Sequence, residues 1–327
     1  MSSATRTLSY SLAINEALHQ AMAADPSVFL IGQGVKSPWY VGNTANGLLK
    51  RFGAQRVIDT PVSENGVTGA AVGAALTGMR PVVVHPRMDF MLYGFDPIIN
   101  QAANWHYMSG GTSSAPVVFW GIVNRGGEQA AQHSQALHSM FCHVPGLKVV
   151  APSSPVDAKG LMLASIFDGN PVVFVDDRSL YGTTDAVPEE SYQTPVGKGV
   201  VRRKGTDVTV LCYSGMVPLA LEASALAAEE GISCMVVDLR TLKPFDRELV
   251  LSSVAETGRV LVCDVGWKSG GWSAEIITTI VEAGITLKVP PRRVALPDVP
   301  AGAARTLERG YYPTARTILT ALKEMQA

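Results

Sequence analysis

Two short polar segments hold the residue types that could do chemistry. The first, Asp59-Thr60-Pro61-Val62-Ser63-Glu64-Asn65-Gly66, closes an apolar β-branched run and opens a stretch of small residues with helical spacing. Ser63 is placed to cap that helix, and Glu64 would lie in its first turn, where the positive end of the helix dipole favours a carboxylate. Such a group can accept or relay a proton, but acidic residues are also ordinary at helix starts, so position alone leaves both roles open. The second segment, Asn124 to Gln135, reads NRGGEQAAQHSQ. Gly126 and Gly127 make a flexible turn, and His133 follows among Gln132, Ser134 and Gln135. A histidine amid polar groups beyond a glycine turn suits proton donation or substrate binding, and equally a solvated loop. His85, His106, His138 and His143 have similar surroundings, so spacing does not choose among them.

Several chemistries are excluded. No H-E-x-x-H helix or G-x-S-x-G elbow is present, and Gly126-Gly127 lacks the third glycine and following acid of a dinucleotide fingerprint. Cys142, Cys212, Cys234 and Cys263 form no C-x-x-C pair and no zinc spacing. Cys212, Cys234 and Cys263 sit in apolar runs as small hydrophobes, and a reduced, cytoplasmic protein is expected. The formal net charge of −1 over 327 residues gives no reason to expect nucleic acid or an anionic membrane as a partner. We expect no signal peptide, and no apolar stretch approaches the roughly 20 residues of a membrane span.

The elements that must position these residues alternate along the chain. Apolar β-branched runs at 28–31, 56–59, 81–84, 116–119, 148–150 and 171–175 read as buried strands. Between them, 11–23, 64–76, 90–108 and 155–167 read as helices. A polar, proline-containing stretch, 183–195, is the candidate linker. The alternation then restarts, with strands at 207–212, 233–237, 259–263 and 292–295 and helices at 217–230, 247–256, 271–282 and 314–325. This pattern predicts an α/β protein of two domains with mainly parallel sheets flanked by helices. A chain this long exceeds what one core usually serves. Charged residues are 17%, against about 25% in an average soluble protein, which points to extensive buried surface, including subunit interfaces. Such folds bind ligands beyond the carboxyl ends of their strands, which draws attention to 59–64, 85–90 and 121–135.

The same segments resemble a known family. IDTPVSENGVTGAAVGAALTGMRPVV (Ile58–Val83), AAQHSQ (Ala130–Gln135), HVPGLKVVAPSSPVDAKGL (His143–Leu161) and DGNPVVF (Asp168–Phe174) look like the β subunits of thiamine-diphosphate-dependent pyruvate and branched-chain 2-oxoacid dehydrogenases. VVDLRTLKPFDRELVLSSVAETGRVLV (Val236–Val262) and GWKSGGWSAEI (Gly266–Ile276) are similar to the second domain of those subunits. The resemblance runs from about Leu8 to the last helix. It implies a transketolase-like pyrimidine-binding domain at 1–190 and a transketolase C-terminal domain at 191–327.

It also implies roles. At the position of Glu64 the family has a glutamate that hydrogen-bonds N1′ of the cofactor's aminopyrimidine and so promotes loss of the thiazolium C2 proton. Phe90 and Tyr93 fall where aromatic residues meet the pyrimidine ring. His133 matches the substrate-facing histidine of the family's H-S-Q motif. A potassium site seen in relatives, built mostly from carbonyls, falls on Val117, Ser165, Ile166, Asp168 and Asn170. The family's Mg²⁺ ligands, a G-D-G motif and an asparagine, are carried by another domain, and this chain has no G-D-G. An α subunit completing the active site in an α₂β₂ assembly is therefore implied. The implied reaction is decarboxylation of a 2-oxo acid such as pyruvate, with acyl transfer to a lipoyl acyltransferase.

Some positions depart from the pattern. Gln33 stands where relatives usually carry an acid, and His85-Pro86-Arg87 and Trp120 to Arg125 are unusually polar or atypical. These departures motivate a second reading, a split transketolase-like subunit transferring a two-carbon ketol unit from a ketose or oxo acid to another acceptor, with a carrier protein in place of the lipoyl acyltransferase as partner. A third is a non-catalytic structural subunit, against which the retained Glu64, Phe90 and His133 argue.

Overall fold

The structure, a computed structural model, describes residues 5–37 and 40–326. In chain order the first half contains β1 (Thr5–Ser9), α1 (Tyr10–Ala24), β2 (Val28–Gly32), α2 (Leu48–Phe52), β3 (Val57–Asp59), α3 (Glu64–Leu76) and β4 (Arg80–His85). It continues with α4 (Asn104–Met108), β5 (Val118–Val123), α5 (His138–His143), β6 (Lys148–Val150), α6 (Pro155–Ile166), β7 (Val172–Asp177) and β8 (Thr184–Pro188). The second half contains β9 (Val200–Arg203), β10 (Val208–Cys212), α7 (Met216–Glu229), β11 (Cys234–Asp238), β12 (Thr241–Lys243) and α8 (Arg247–Thr257). It closes with β13 (Val260–Trp267), α9 (Trp272–Glu282), β14 (Arg292–Leu296), α10 (Arg305–Tyr311) and α11 (Ala315–Glu324).

The expected α/β architecture is present. One sheet runs β12-β6-β7-β5-β4-β2-β3 and a second runs β14-β13-β10-β11-β9. In the first, β2 pairs in parallel with β3 and β4, β4 with β5, β5 with β7 and β7 with β6. Its strands are apolar on both faces because both faces are covered. Val28, Leu30, Val82, Val84, Val118 and Trp120 face a core shared with α1 and α6. The alternating Phe29, Ile31, Val83 and Phe119 face a core that continues into β10, β11 and β13 of the second half.

The structure corrects several elements. The single helix read over 90–108 is a 3-10 segment (Met88–Gly94), a π-helix (Asp96–Ala103) and then α4. Pro97 stands at the start of the π-helix and has no N–H to donate to a continuous α-helical ladder. The strand read at 116–119 runs instead over Val118–Val123, because Pro116 cannot join the ladder from that side. The stretch 183–195 is not only a linker: its β8 pairs antiparallel with β1, with Val187 fully buried. Further along, β12 comes from the second half of the chain yet pairs antiparallel with β6 of the first sheet.

A polar knot fastens the halves where β12 crosses. Asp238, at the end of β11 and fully buried, accepts from Ser153 Oγ at 2.6 Å, Arg202 Nη2 at 2.8 Å and the Arg240 backbone N–H at 3.0 Å. Asp157, at the start of α6, takes Arg240 Nη1 at 3.0 Å and also pairs with Arg202. Removing one member leaves the opposing charges and hydroxyl without a partner. Asp238→Ala is therefore expected to lower unfolding free energy by about 3 kcal/mol. Chemical denaturation of the full chain checks this; a loss within about 0.5 kcal/mol of zero, as for a plain surface site, would show that the knot does not hold the halves together.

Candidate active site

The parallel order β5-β4-β2-β3 lines up four carboxyl ends, and each feeds one wall of a cleft of about 460 Å³. Gln33 follows β2, Glu64 follows β3, His85 ends β4 with Pro86, Arg87 and Phe90 after it, and His133 follows β5. Tyr93, Tyr40 and Val62 stand at its rim. Glu64, Phe90, Tyr93 and His133, singled out in the sequence, thus share one concave surface.

Glu64 is the first residue of α3 and half-buried, so it lies in the turn whose unpaired N–H groups carry partial positive charge. Ser63 does not cap this helix through its side chain. Its backbone, at φ −162° and ψ 63°, lies outside the extended region that aims a capping hydroxyl at the first turn. Asn65 Nδ2 donates to the Tyr93 carbonyl at 3.2 Å, which ties the start of α3 to the segment carrying both aromatic rings.

The His133 loop is fastened to the same segment at three points. Phe90 meets the His133 ring edge-on, with centroids 5.4 Å apart. Asp89 Oδ1 accepts the Gln135 N–H at 3.1 Å. Arg87 Nη2 donates to Gln129 Oε1 at 3.2 Å. Burial pushes the Asp89 carboxyl above its usual range, an effect that its bonds to Gln135 partly offset. The imidazole is therefore held edge-on to an aromatic wall, in the same cleft as a helix-start carboxylate. That arrangement can bind a flat heteroaromatic ring, accept one of its N–H groups at the carboxylate, and offer a proton from the imidazole side.

The other histidines sort by position. His85 lines the cleft but is 2% exposed, with Thr68 Oγ1 3.5 Å from its Nε2. His138 is fully buried between the halves, with Nε2 2.8 Å from the Tyr213 hydroxyl and 3.2 Å from Asp264 Oδ1. His106 bonds the Ser113 carbonyl outside the cleft, and His143 is exposed.

The residues matched to a potassium site lie at the opposite end of the sheet. The Ile166 and Asp168 carbonyls accept from Arg80 Nη1 at 3.0 and 2.9 Å. The Val117 carbonyl accepts the Val172 N–H, the Asp168 carboxylate pairs with Lys148 at 2.6 Å and also accepts the Asn170 N–H, and Ser165 bonds back to Leu161. Arg80 and Lys148 already supply positive charge at this cluster. Tyr40, Arg125 and Arg178 were not singled out as site residues. The one sequence signal for Arg125 was the atypical strip 120–125, and nothing local marks Tyr40 or Arg178.

Comparison with known proteins agrees with this layout. The family "Transketolase, pyrimidine binding domain" matches residues 6–184, and "Transketolase, C-terminal domain" matches 197–318. The β subunit of an acetoin:2,6-dichlorophenolindophenol oxidoreductase from Cupriavidus necator is 43% identical over 98% of this chain and 97% of its own. The β subunit of the pyruvate dehydrogenase E1 component from Rickettsia felis is 41% identical over 96% of each chain. Its mitochondrial counterpart from Bos taurus is 40% identical over 95% of this chain and 89% of its own. Among solved structures, a split-gene transketolase, titled an inactive β4 tetramer, superposes with a TM-score of 0.78 at 21% identity, over 97% of this chain and 98% of that one.

The cleft's buried histidine gives a pH signature. Burial pulls His85 down from 6.5 to about 4. Between those values the unfolded chain binds a proton that the folded chain refuses, so stability falls as pH drops from 6.5 towards 4 and is unaffected above 7. The full swing amounts to roughly 3 kcal/mol. Denaturant midpoints of the wild type and His85→Gln should diverge only in that window, with the wild type losing more; parallel curves from pH 4 to 8 would contradict the assignment.

Proposed function

This chain belongs to the transketolase-type β subunits of thiamine-diphosphate-dependent 2-oxoacid dehydrogenases, and from that premise we propose that its cleft is one half of an active site that an α subunit completes. The observation that carries the reading is the convergence of Glu64, Phe90, Tyr93 and His133 on one surface. The reaction is decarboxylation of a 2-oxo acid, with the acyl unit passed to a lipoyl-bearing partner. The division at 190/191 follows the same reading, since β1 to β8 fall before it.

Thiamine diphosphate, when bound, supplies a carbon nucleophile and an electron sink. The chain's residues fit its pyrimidine end. Phe90 and Tyr93 offer aromatic surface, and Glu64 offers a carboxylate at a positive helix end to accept a ring N–H. A carboxylate in that position holds a proton on the ring nitrogen, and the half-buried setting strengthens the bond by excluding water. His133, fixed by Phe90, reaches the substrate side and can donate a proton to a developing oxyanion. The diphosphate end has no matching motif in this chain, so Mg²⁺ and its ligands are assigned to the α subunit in an α₂β₂ assembly. Gly66, Ala70 and Gly73 leave one face of α3 exposed and free of bulk, which suits close approach of a neighbouring backbone.

Two substitutions in the assembled complex separate these roles. Glu64→Gln should slow exchange of the cofactor's C2 proton by about 10²-fold or more while assembly is retained, and His133→Ala should leave exchange intact but cut turnover by ~10²–10⁴. Proton exchange followed by NMR, beside steady-state turnover, reads both. Wild-type exchange in Glu64→Gln would remove the carboxylate from the mechanism.

A further inference from the structure

Beside the cleft, and joined to it at Tyr40 and Arg87, lies a second hollow of about 480 Å³, lined by Asn124, Arg125, Gly126, Gly127 and Arg178. Arg87, Arg125 and Arg178 follow β4, β5 and β7, whose adjacency in the sheet brings three guanidinium groups to one space. Arg178 sits close enough to Arg87 that, after burial, it is the next influence drawing that group below its usual range. Like charges gathered in a part-buried hollow repel unless something negative enters.

Carboxylates stand near each of these groups: Asp89 acts on Arg87, Asp176 faces the charge of Arg178, and Asp177 pairs with Arg125. Asp177 takes Arg125 Nη1 at 3.5 Å. Arg87 donates to neutral acceptors, the Pro86 carbonyl at 2.7 Å and Gln129 Oε1 at 3.2 Å. Buried donors on the lining are left over: among the described residues Asn124 Nδ2, Arg87 Nε and Arg125 Nε have no partner, and Asn124 is only 4% exposed. All three are donors, so the missing partner is an acceptor. The hollow is also built to stay open and aligned. Gly126 and Gly127, at φ +77° and +82°, have nothing within 4 Å of where a side chain would stand. Arg125, with its side chain 7% exposed, is braced by the Tyr312 ring at 5.4 Å and Met216 Sδ at 3.8 Å. A Cβ on Gly215 would stand 2.3 Å from Asp177 Oδ2 and 2.7 Å from Arg125 Nη1, so a side chain there would push these groups aside.

We propose that this hollow is a subsite for an anionic group, phosphate or carboxylate, carried by the donor substrate at the end remote from its reacting carbonyl. The proposal rests on the cleft being the reaction site. The carboxylate that leaves as carbon dioxide is a poor occupant, because guanidinium groups clamped on it would stabilise the ground state as its charge moves away. A remote anion keeps its charge throughout, so binding it holds the reacting end in place at no cost to the chemistry. Guanidinium forks match phosphate and carboxylate oxygens in pairs. The substrate class is therefore a 2-oxo dicarboxylate or a phosphorylated ketose or oxo acid rather than an unadorned 2-oxo acid.

The test titrates inorganic phosphate calorimetrically, at constant ionic strength, into the chain assembled with its α subunit. Wild type should bind it, Arg125→Gln should weaken binding about tenfold or more, and Arg125→Lys, which keeps the charge but not the fork, should fall between. Adduct formation with pyruvate, 2-oxoglutarate and a ketose phosphate then names the source of the anion. Preference for either charged donor, reduced about tenfold in Arg125→Gln, supports the subsite. Equal phosphate affinity in wild type and variants overturns it, as does loss of α-subunit assembly in Arg125→Gln, which would make the cluster a docking site for acidic protein groups. C2 proton exchange by the same wild-type preparation keeps the two readings apart: exchange without phosphate binding sinks only the subsite, and phosphate binding without exchange sinks the proposed function.

Discussion

Parallel pairing of β7, β5, β4, β2 and β3 sets five carboxyl ends side by side, and every functional residue hangs from one of them. The constraint is strict. Strands buried on both faces cannot slip by one residue without exchanging the core of α1 and α6 for the core shared with the second half. The register of Val82, Val83 and Val84 against Val118, Phe119 and Trp120 therefore fixes where the chain leaves the sheet at His85 and Val123. From those exits the path is short, and contacts such as Phe90 on His133 and Asp89 on the Gln135 N–H finish the placement.

The charges at this edge divide into two neighbourhoods. Around α3 there is one carboxylate, a helix dipole and aromatic walls, a setting for a neutral or weakly charged heterocycle. Around β5 and β7 there are guanidinium groups and buried hydrogen-bond donors lining one hollow. Arg87 belongs to both. With the heterocycle in the first, a substrate carrying a remote anion would reach into the second in a single orientation. The second half contributes to the walls rather than the floor: Met216 and Tyr312 steady Arg125, and the Asp238–Arg202–Asp157 knot keeps the halves from sliding.

Much of this was legible in the sequence where short-range rules applied. Glu64 could be placed at a helix start and His133 beyond a glycine turn because strand-end positions follow from apolar runs and punctuation. Their roles came from family resemblance, since a carboxylate at a helix start has many uses. What escaped was set by distant partners. β8 hid in a polar stretch because its partner is the first strand, and β12 because it crosses to the other sheet. The helix over 90–108 broke at Pro97, whose effect on helix register depends on packing. Arg125 stands out only as part of an atypical strip and Arg178 not at all, and the β5–β7 ladder makes them neighbours.

In the proposed split site this chain holds the pyrimidine end of thiamine diphosphate and a partner holds the diphosphate. Isothermal calorimetry of the full chain, first alone and then with its α subunit, tests it most directly. With thiamine diphosphate and Mg²⁺ present, the chain alone should show no binding at micromolar cofactor, and binding should appear on addition of the α subunit and vanish when Mg²⁺ is chelated. Micromolar or tighter binding by the chain alone would contradict the split site.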